Sequence, residues 1–91
     1  MASTIGWTAF VQNRMNMLGL IPDKCSAYMA LSKLLGLSNS TTHYWFHPDG
    51  GRPSVKQLDR LRDLLRIEAG SEDEYQLYRL WVGRRTRQRS A

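Results

Sequence analysis

The segment Leu31-Ser32-Lys33-Leu34-Leu35-Gly36-Leu37-Ser38-Asn39-Ser40-Thr41-Thr42-His43-Tyr44-Trp45 decides the fold of this chain. Leu31, Leu34 and Leu35 recur at helical spacing and stop at Gly36, a residue that accepts the backbone conformation other residues resist. Leu37 follows as an apolar plug, and Ser38 is a fresh N-cap for a second, short helix over Asn39–Phe46. Ser32, small and four residues before the glycine, lets the two helices approach. Trp45 anchors the second helix to the core, with Thr42 and Phe46 beside it, while its other face is polar and nearly uncharged. An ordinary solvated helix face carries more charge than this.

The helical period extends on both sides, and no run alternates as a strand does. Upstream, Trp7, Phe10, Val11, Met15 and Leu18 form one stripe of a helix capped at Thr4 and ended by Gly19 and Pro22. The helix before Gly36 starts at Asp23 or Ser26, with Tyr28, Leu31, Leu34 and Leu35 facing inward. Downstream, His47–Pro53 is rich in turn formers. Ser54 then caps a fourth helix reaching Ile67, with a core stripe of Val55, Leu58, Leu61, Leu64 and Leu65. Its Asp59, Arg62, Asp63 and Arg66 read as a solvated charged face. Ser71 and Glu74 have capping-box spacing for a fifth helix ending at Val82 and stopped by Gly83. The expected architecture is therefore all-α: one five-helix domain over residues 1–83, then a mobile basic tail over 84–91.

Thirteen Lys and Arg face eight Asp and Glu, and ten of the thirteen are arginine. Guanidinium forks match phosphates and guanine edges, so this balance fits a polyanionic partner without requiring one. Cys25 is the only cysteine, which excludes an intramolecular disulfide and a cysteine zinc cage and suits a reducing cytoplasm. Neither a signal peptide nor a membrane-spanning run is read.

In this arrangement the chain resembles the lambda repressor and Cro-like helix-turn-helix family over roughly residues 8 to 67. The likeness rests on the Leu31–Trp45 segment, on Gly36-Leu37-Ser38, on Arg52-Pro53-Ser54, and on Leu58, Leu61, Leu64 and Leu65. It departs in lacking a basic opening to helix one and the common glutamine near the start of helix two, and in the bulk of Trp45. The resemblance implies a five-helix lambda-repressor-like domain whose third helix lies in the major groove of DNA. Carried over by position, the base contacts are Ser38, Asn39, Ser40, His43, Tyr44 and His47. Asn39 suits adenine, His43 suits guanine, and Tyr44 suits a thymine methyl or a phosphate. Phosphate contacts are expected from Lys33, Arg52, Ser54 and Lys56, with Arg52 the strongest. The surplus aromatic and apolar residues of helix five, Tyr75, Tyr78, Trp81 and Val82, are the expected homodimer interface. The arginine tail either follows the DNA backbone or only solubilises the chain.

The functional expectation is a cytoplasmic transcriptional regulator, a repressor of a palindromic operator in the style of phages and mobile elements, found in a bacterial cell or its nucleoid. The rival is a protein-interaction module on the same fold, an antitoxin or inhibitor, using Tyr44, Phe46 and Trp81. RNA binding is weaker, because no aromatic sheet platform is present. An enzyme is not expected, and neither a cofactor nor a metal. His43 and His47 have metal-pair spacing, but no glutamate accompanies them and Pro48 ends the helix.

Overall fold

Trp7, Val11 and Met15 stand four residues apart on one face of α1 (Trp7–Met17), and all three are buried. Around that stripe the chain winds α2 (Ala27–Leu35), α3 (Asn39–Phe46), α4 (Val55–Leu64) and α5 (Glu72–Gly83). The computed structural model describes residues 6–47 and 50–84, and among these there is no strand. The core joins the α1 stripe to Leu31 and Leu35 of α2, Trp45 of α3, Leu58 and Leu61 of α4, and Leu77 of α5. Of the helix pairs, α2 and α3 pack most closely.

The turn between α2 and α3 is built as the sequence suggests. Gly36 adopts φ 70°, and the Leu37 N–H donates to the Ser32 carbonyl at 2.9 Å, closing the end of α2. Ser38 is extended, and its hydroxyl accepts from the Thr41 N–H. Thr42 is buried, and its hydroxyl donates across to the Tyr28 carbonyl at 2.7 Å. A threonine in this apolar contact is thus satisfied rather than orphaned.

Several expectations are corrected. Gly6 caps α1; the expected cap, Thr4, lies outside the described residues. Leu34 is 44% exposed rather than buried, because the buried arc of α2 is shifted toward Ser32, where α3 packs. Val55 is 63% exposed, since it opens the first turn of α4 on the rim of a cleft. Helix α4 stops at Leu64 because Arg66 takes φ 55°, and the Ile67 N–H donates back to the Arg62 carbonyl. Leu65 and Ile67 stay buried in that turn. Gly83 is the last residue of α5 rather than its stop.

Arginines weld the outer layer. Arg14 donates to the carbonyls of Leu65 and Arg66 and pairs with Asp73 at 2.7 Å, so α1 holds both the turn after α4 and the start of α5. Arg62, expected in a solvated face, instead donates to Glu74 at 3.1 Å and to the Tyr78 hydroxyl at 3.2 Å. Glu74 completes only part of the expected capping box. The Ser71 hydroxyl accepts from the Glu74 N–H, while the carboxylate accepts from the Gly70 N–H rather than from that of Ser71.

Candidate nucleic-acid interface

Helix α3 divides into two faces. Thr42 and Trp45 are buried, while Ser38, Asn39, Ser40 and His43 are exposed, as is His47 just beyond the helix. The exposed side chains of the helix carry no carboxylate and no permanent positive charge, so hydrogen-bonding groups dominate this surface. His43 sits edge-on to Tyr28, with ring centroids 4.7 Å apart, and 6.2 Å from the ring of His47.

Asn39 is oriented from below. Its Oδ1 lies 2.5 Å from the Ser32 hydroxyl, which also donates to the Met29 carbonyl at 2.8 Å. One hydroxyl proton cannot serve two acceptors. Turning the Asn39 amide over lets its NH₂ donate to Ser32 while Ser32 donates to Met29, which satisfies every group. Spacing alone suggested Ser32 as a small residue for close packing; its hydroxyl as a prop for Asn39 was not legible from the sequence.

Tyr44, expected to point outward, is half-buried and lies against the loop: a Cβ added to Gly51 would stand 2.6 Å from its Cε2. Gly50 is tighter still, with an added Cβ 1.7 Å from the Tyr44 carbonyl oxygen. Both glycines are buried, so the loop crosses directly over the end of α3. Pro48 and Asp49, expected turn residues, lie outside the described residues.

Two arginines lock that loop down. Arg52, expected as the leading phosphate contact, donates to the carbonyls of Trp81 and Val82 at 3.0 and 3.3 Å and stacks on the Trp81 ring at 4.0 Å. The Trp81 Nε1–H donates in return to the Pro53 carbonyl at 2.8 Å. The C-terminal carbonyls of α5 need donors, and Arg52 supplies them. Arg84, assigned from sequence to a mobile tail, donates to the carbonyls of Trp45, His47 and Gly51. Its burial pushes the guanidinium below its ordinary pKa, with the Tyr44 phenol acting in the opposite direction. Arg85 to Ala91 lie outside the described residues.

The remaining expected positions fall into two groups. Lys33, in the last turn of α2, and Lys56, in the first turn of α4, are exposed. Ser54 caps α4, accepting from the Gln57 N–H while Gln57 accepts from the Ser54 N–H. Across a cleft of about 650 Å³, Ser40 and Thr41 face Ser54, Val55 and Gln57, with Trp81 and Arg52 also in the wall. Of the four expected dimer residues, Trp81 and Tyr78 are engaged within the chain, whereas Tyr75 and Val82 are 66% and 64% exposed.

Among the described residues, no three His, Cys, Asp or Glu side chains gather as a metal site. No described helix is long and apolar enough to cross a membrane. No family model matches the chain, and no curated protein or solved structure matches it either.

Proposed function

We propose that this chain is a sequence-specific DNA-binding regulator of the lambda repressor and Cro-like helix-turn-helix type, acting as a dimer on a palindromic operator. The observation that carries this reading is the two-faced helix α3. Thr42 ties it to α2 and Trp45 is buried in the core, and an exposed row of hydrogen-bonding groups without carboxylates is left facing solvent. Major-groove edges are read by groups of this kind, without carboxylates that would repel phosphate.

In this reading Ser38, Asn39, Ser40 and His43 face base edges, with His47 at the far end. Asn39, its amide held by Ser32, keeps Oδ1 and one N–H for adenine. Lys33, Lys56 and the Ser54 end of α4 approach the phosphates on either side. Arg52 acts indirectly, by fixing the loop that connects α3 to α4. Tyr75 and Val82, seven residues apart on one exposed face of α5, are the surface for the second copy. Two reading helices then specify enough base pairs for an operator, and its occupancy excludes polymerase or another regulator.

The protein-interaction alternative drew on Tyr44, Phe46 and Trp81. All three are half-buried and packed against the core, which removes much of the surface it relied on. Fluorescence anisotropy with duplex DNA tests the proposal. Affinity is expected to fall with a log–log salt slope of about −4 or steeper, as for about five neutralised phosphates. Asn39→Ala is expected to lower preference at one base position and leave that slope unchanged. Duplex affinity that is absent, or flat with salt, would refute the reading.

A further inference from the structure

Helix α5 turns Leu77 and Trp81 toward the rest of the molecule, and the face it leaves uncovered carries Glu72, Tyr75, Arg79 and Val82. At about 100° per residue these four fall within an arc of roughly 80°. Inside that arc they form two parallel lines. Tyr75 and Val82, both largely exposed, share one; Glu72 and Arg79, also seven residues apart, share the other.

The two charges of this face are not spent within the chain. Seven residues separate Glu72 from Arg79 by about 10 Å of helix, too far for the pairing that positions three or four apart allow. Among the described residues neither forms an ion pair, whereas the next two acids of the same turn are taken, Asp73 by Arg14 and Glu74 by Arg62. An acid toward one end of the face and a base toward the other, beside an uncovered apolar line, complement a second face of the same composition.

We propose that a second copy of this chain packs its α5 antiparallel on this face, about a two-fold axis beside Tyr75 that sets Glu72 of each copy against Arg79 of the other. Charge order decides the orientation. A parallel pair would set Glu72 against Glu72 and Arg79 against Arg79, whereas the antiparallel pair makes two opposite-charge contacts. A two-fold axis across the helices also keeps each line on its own side, so charges meet charges and the apolar line meets its copy. With the axis between Tyr75 and Gln76, Glu72 and Arg79 are equidistant from it, and both ion pairs come into register at once. The two Tyr75 rings then touch across the axis, and Val82 reaches the exposed turn at Ala69 and Gly70 of the other copy. This pairing rests on α5 being the homodimer surface and is independent of whether α3 reads DNA.

The test is sedimentation equilibrium of the full chain at low salt, where charge contacts are least screened. The wild type is expected to populate a dimer in exchange with monomer. Glu72→Arg and Arg79→Glu each turn two attractive contacts into two repulsive ones, and each is expected to weaken association about tenfold. The double variant Glu72→Arg with Arg79→Glu rebuilds both pairs with the signs exchanged, and is expected to return to within about threefold of the wild type. Glu72 lies in the first turn of α5, so any cost to the helix end falls equally on the single and the double variant and cancels between them. Far-UV circular dichroism checks that these exposed changes keep the helices. A wild type that stays monomeric overturns the dimer and this pairing together. A wild-type dimer that the single changes leave intact, or that the double variant does not restore, overturns the antiparallel pairing and leaves the dimer standing.

Discussion

Replacing Arg52 by alanine separates two roles for the residue that sequence reasoning placed first among the phosphate contacts. Its Nη1 is shared between the Trp81 and Val82 carbonyls at 3.0 and 3.3 Å, so it counts as about one charge-assisted bond, worth roughly 1.5 kcal/mol at a partly exposed site. Stacking on Trp81 at 4.0 Å adds about 0.5–1 kcal/mol. Arg52→Ala is therefore expected to lower stability by about 2 kcal/mol with no DNA present. For a domain of this size that corresponds to a fall in Tm of roughly 10 °C. Arg52→Lys should recover less than half, since an ammonium cannot both reach these carbonyls and stack flat on the indole. Urea denaturation followed by tryptophan fluorescence reads the midpoint, and an unchanged m value shows that the unfolding reaction is the same. A loss below about 0.5 kcal/mol, with duplex affinity abolished, would refute the pin and restore Arg52 as a direct phosphate contact.

Gly50→Ala places a methyl 1.7 Å from the Tyr44 carbonyl oxygen, a backbone atom that cannot swing aside. The expected loss is about 3 kcal/mol, against about 1 kcal/mol for Gly36→Ala, where φ is 70° but space is open; urea midpoints rank the pair. Arg66→Gly relieves an exposed non-glycine residue at φ 55° and should raise stability by about 0.5–1 kcal/mol, the left-handed penalty less the entropy glycine adds to the unfolded chain. Ser32→Ala removes the prop under Asn39 and should reduce discrimination at the Asn39 base position by about threefold to tenfold, on the scale of one neutral hydrogen bond. Binding to duplexes differing at that position checks it, with far-UV circular dichroism showing the helices retained.

How far the fold could be read ahead of the structure depends on the range of the interaction involved. Periodicity and capping are local, so the five helices, the turn at Gly36 and the caps at Ser38, Ser54 and Ser71 were all visible in the sequence. Burial at helix ends is not local: Leu34 and Val55 have the right spacing, but it is the neighbouring helix that decides whether a last or first turn is covered. The arginines were the least legible. Arg14, Arg52, Arg62 and Arg84 look alike in composition, yet each is committed to carbonyls or carboxylates 12 to 59 residues away. In the sequence, position relative to the helix-turn-helix puts Arg52 on DNA, charge patterning puts Arg62 in solvent, and the lack of an apolar anchor after Gly83 puts Arg84 in a tail. One signal pointed the other way: the open carbonyls at the end of α5 require donors, and a glycine-rich loop followed by Arg52 is a ready source. Within the candidate interface, the exposed polar face of α3 was legible because Thr42 and Trp45 fix its rotation. The inward turn of Tyr44 was not, because it depends on how closely Gly50 and Gly51 let the loop approach.

The most direct test of α3 as a DNA-reading helix is selection from a random duplex library by the full chain, with the bound pool sequenced at two salt concentrations. The account predicts enrichment of an inverted repeat with half-site centres about one helical turn apart, surviving at the higher salt, and loss of specified base pairs when Asn39 and Ser40 are replaced by alanine. A pool without a motif at either salt, or a motif that Asn39→Ala and Ser40→Ala leave intact, would contradict it.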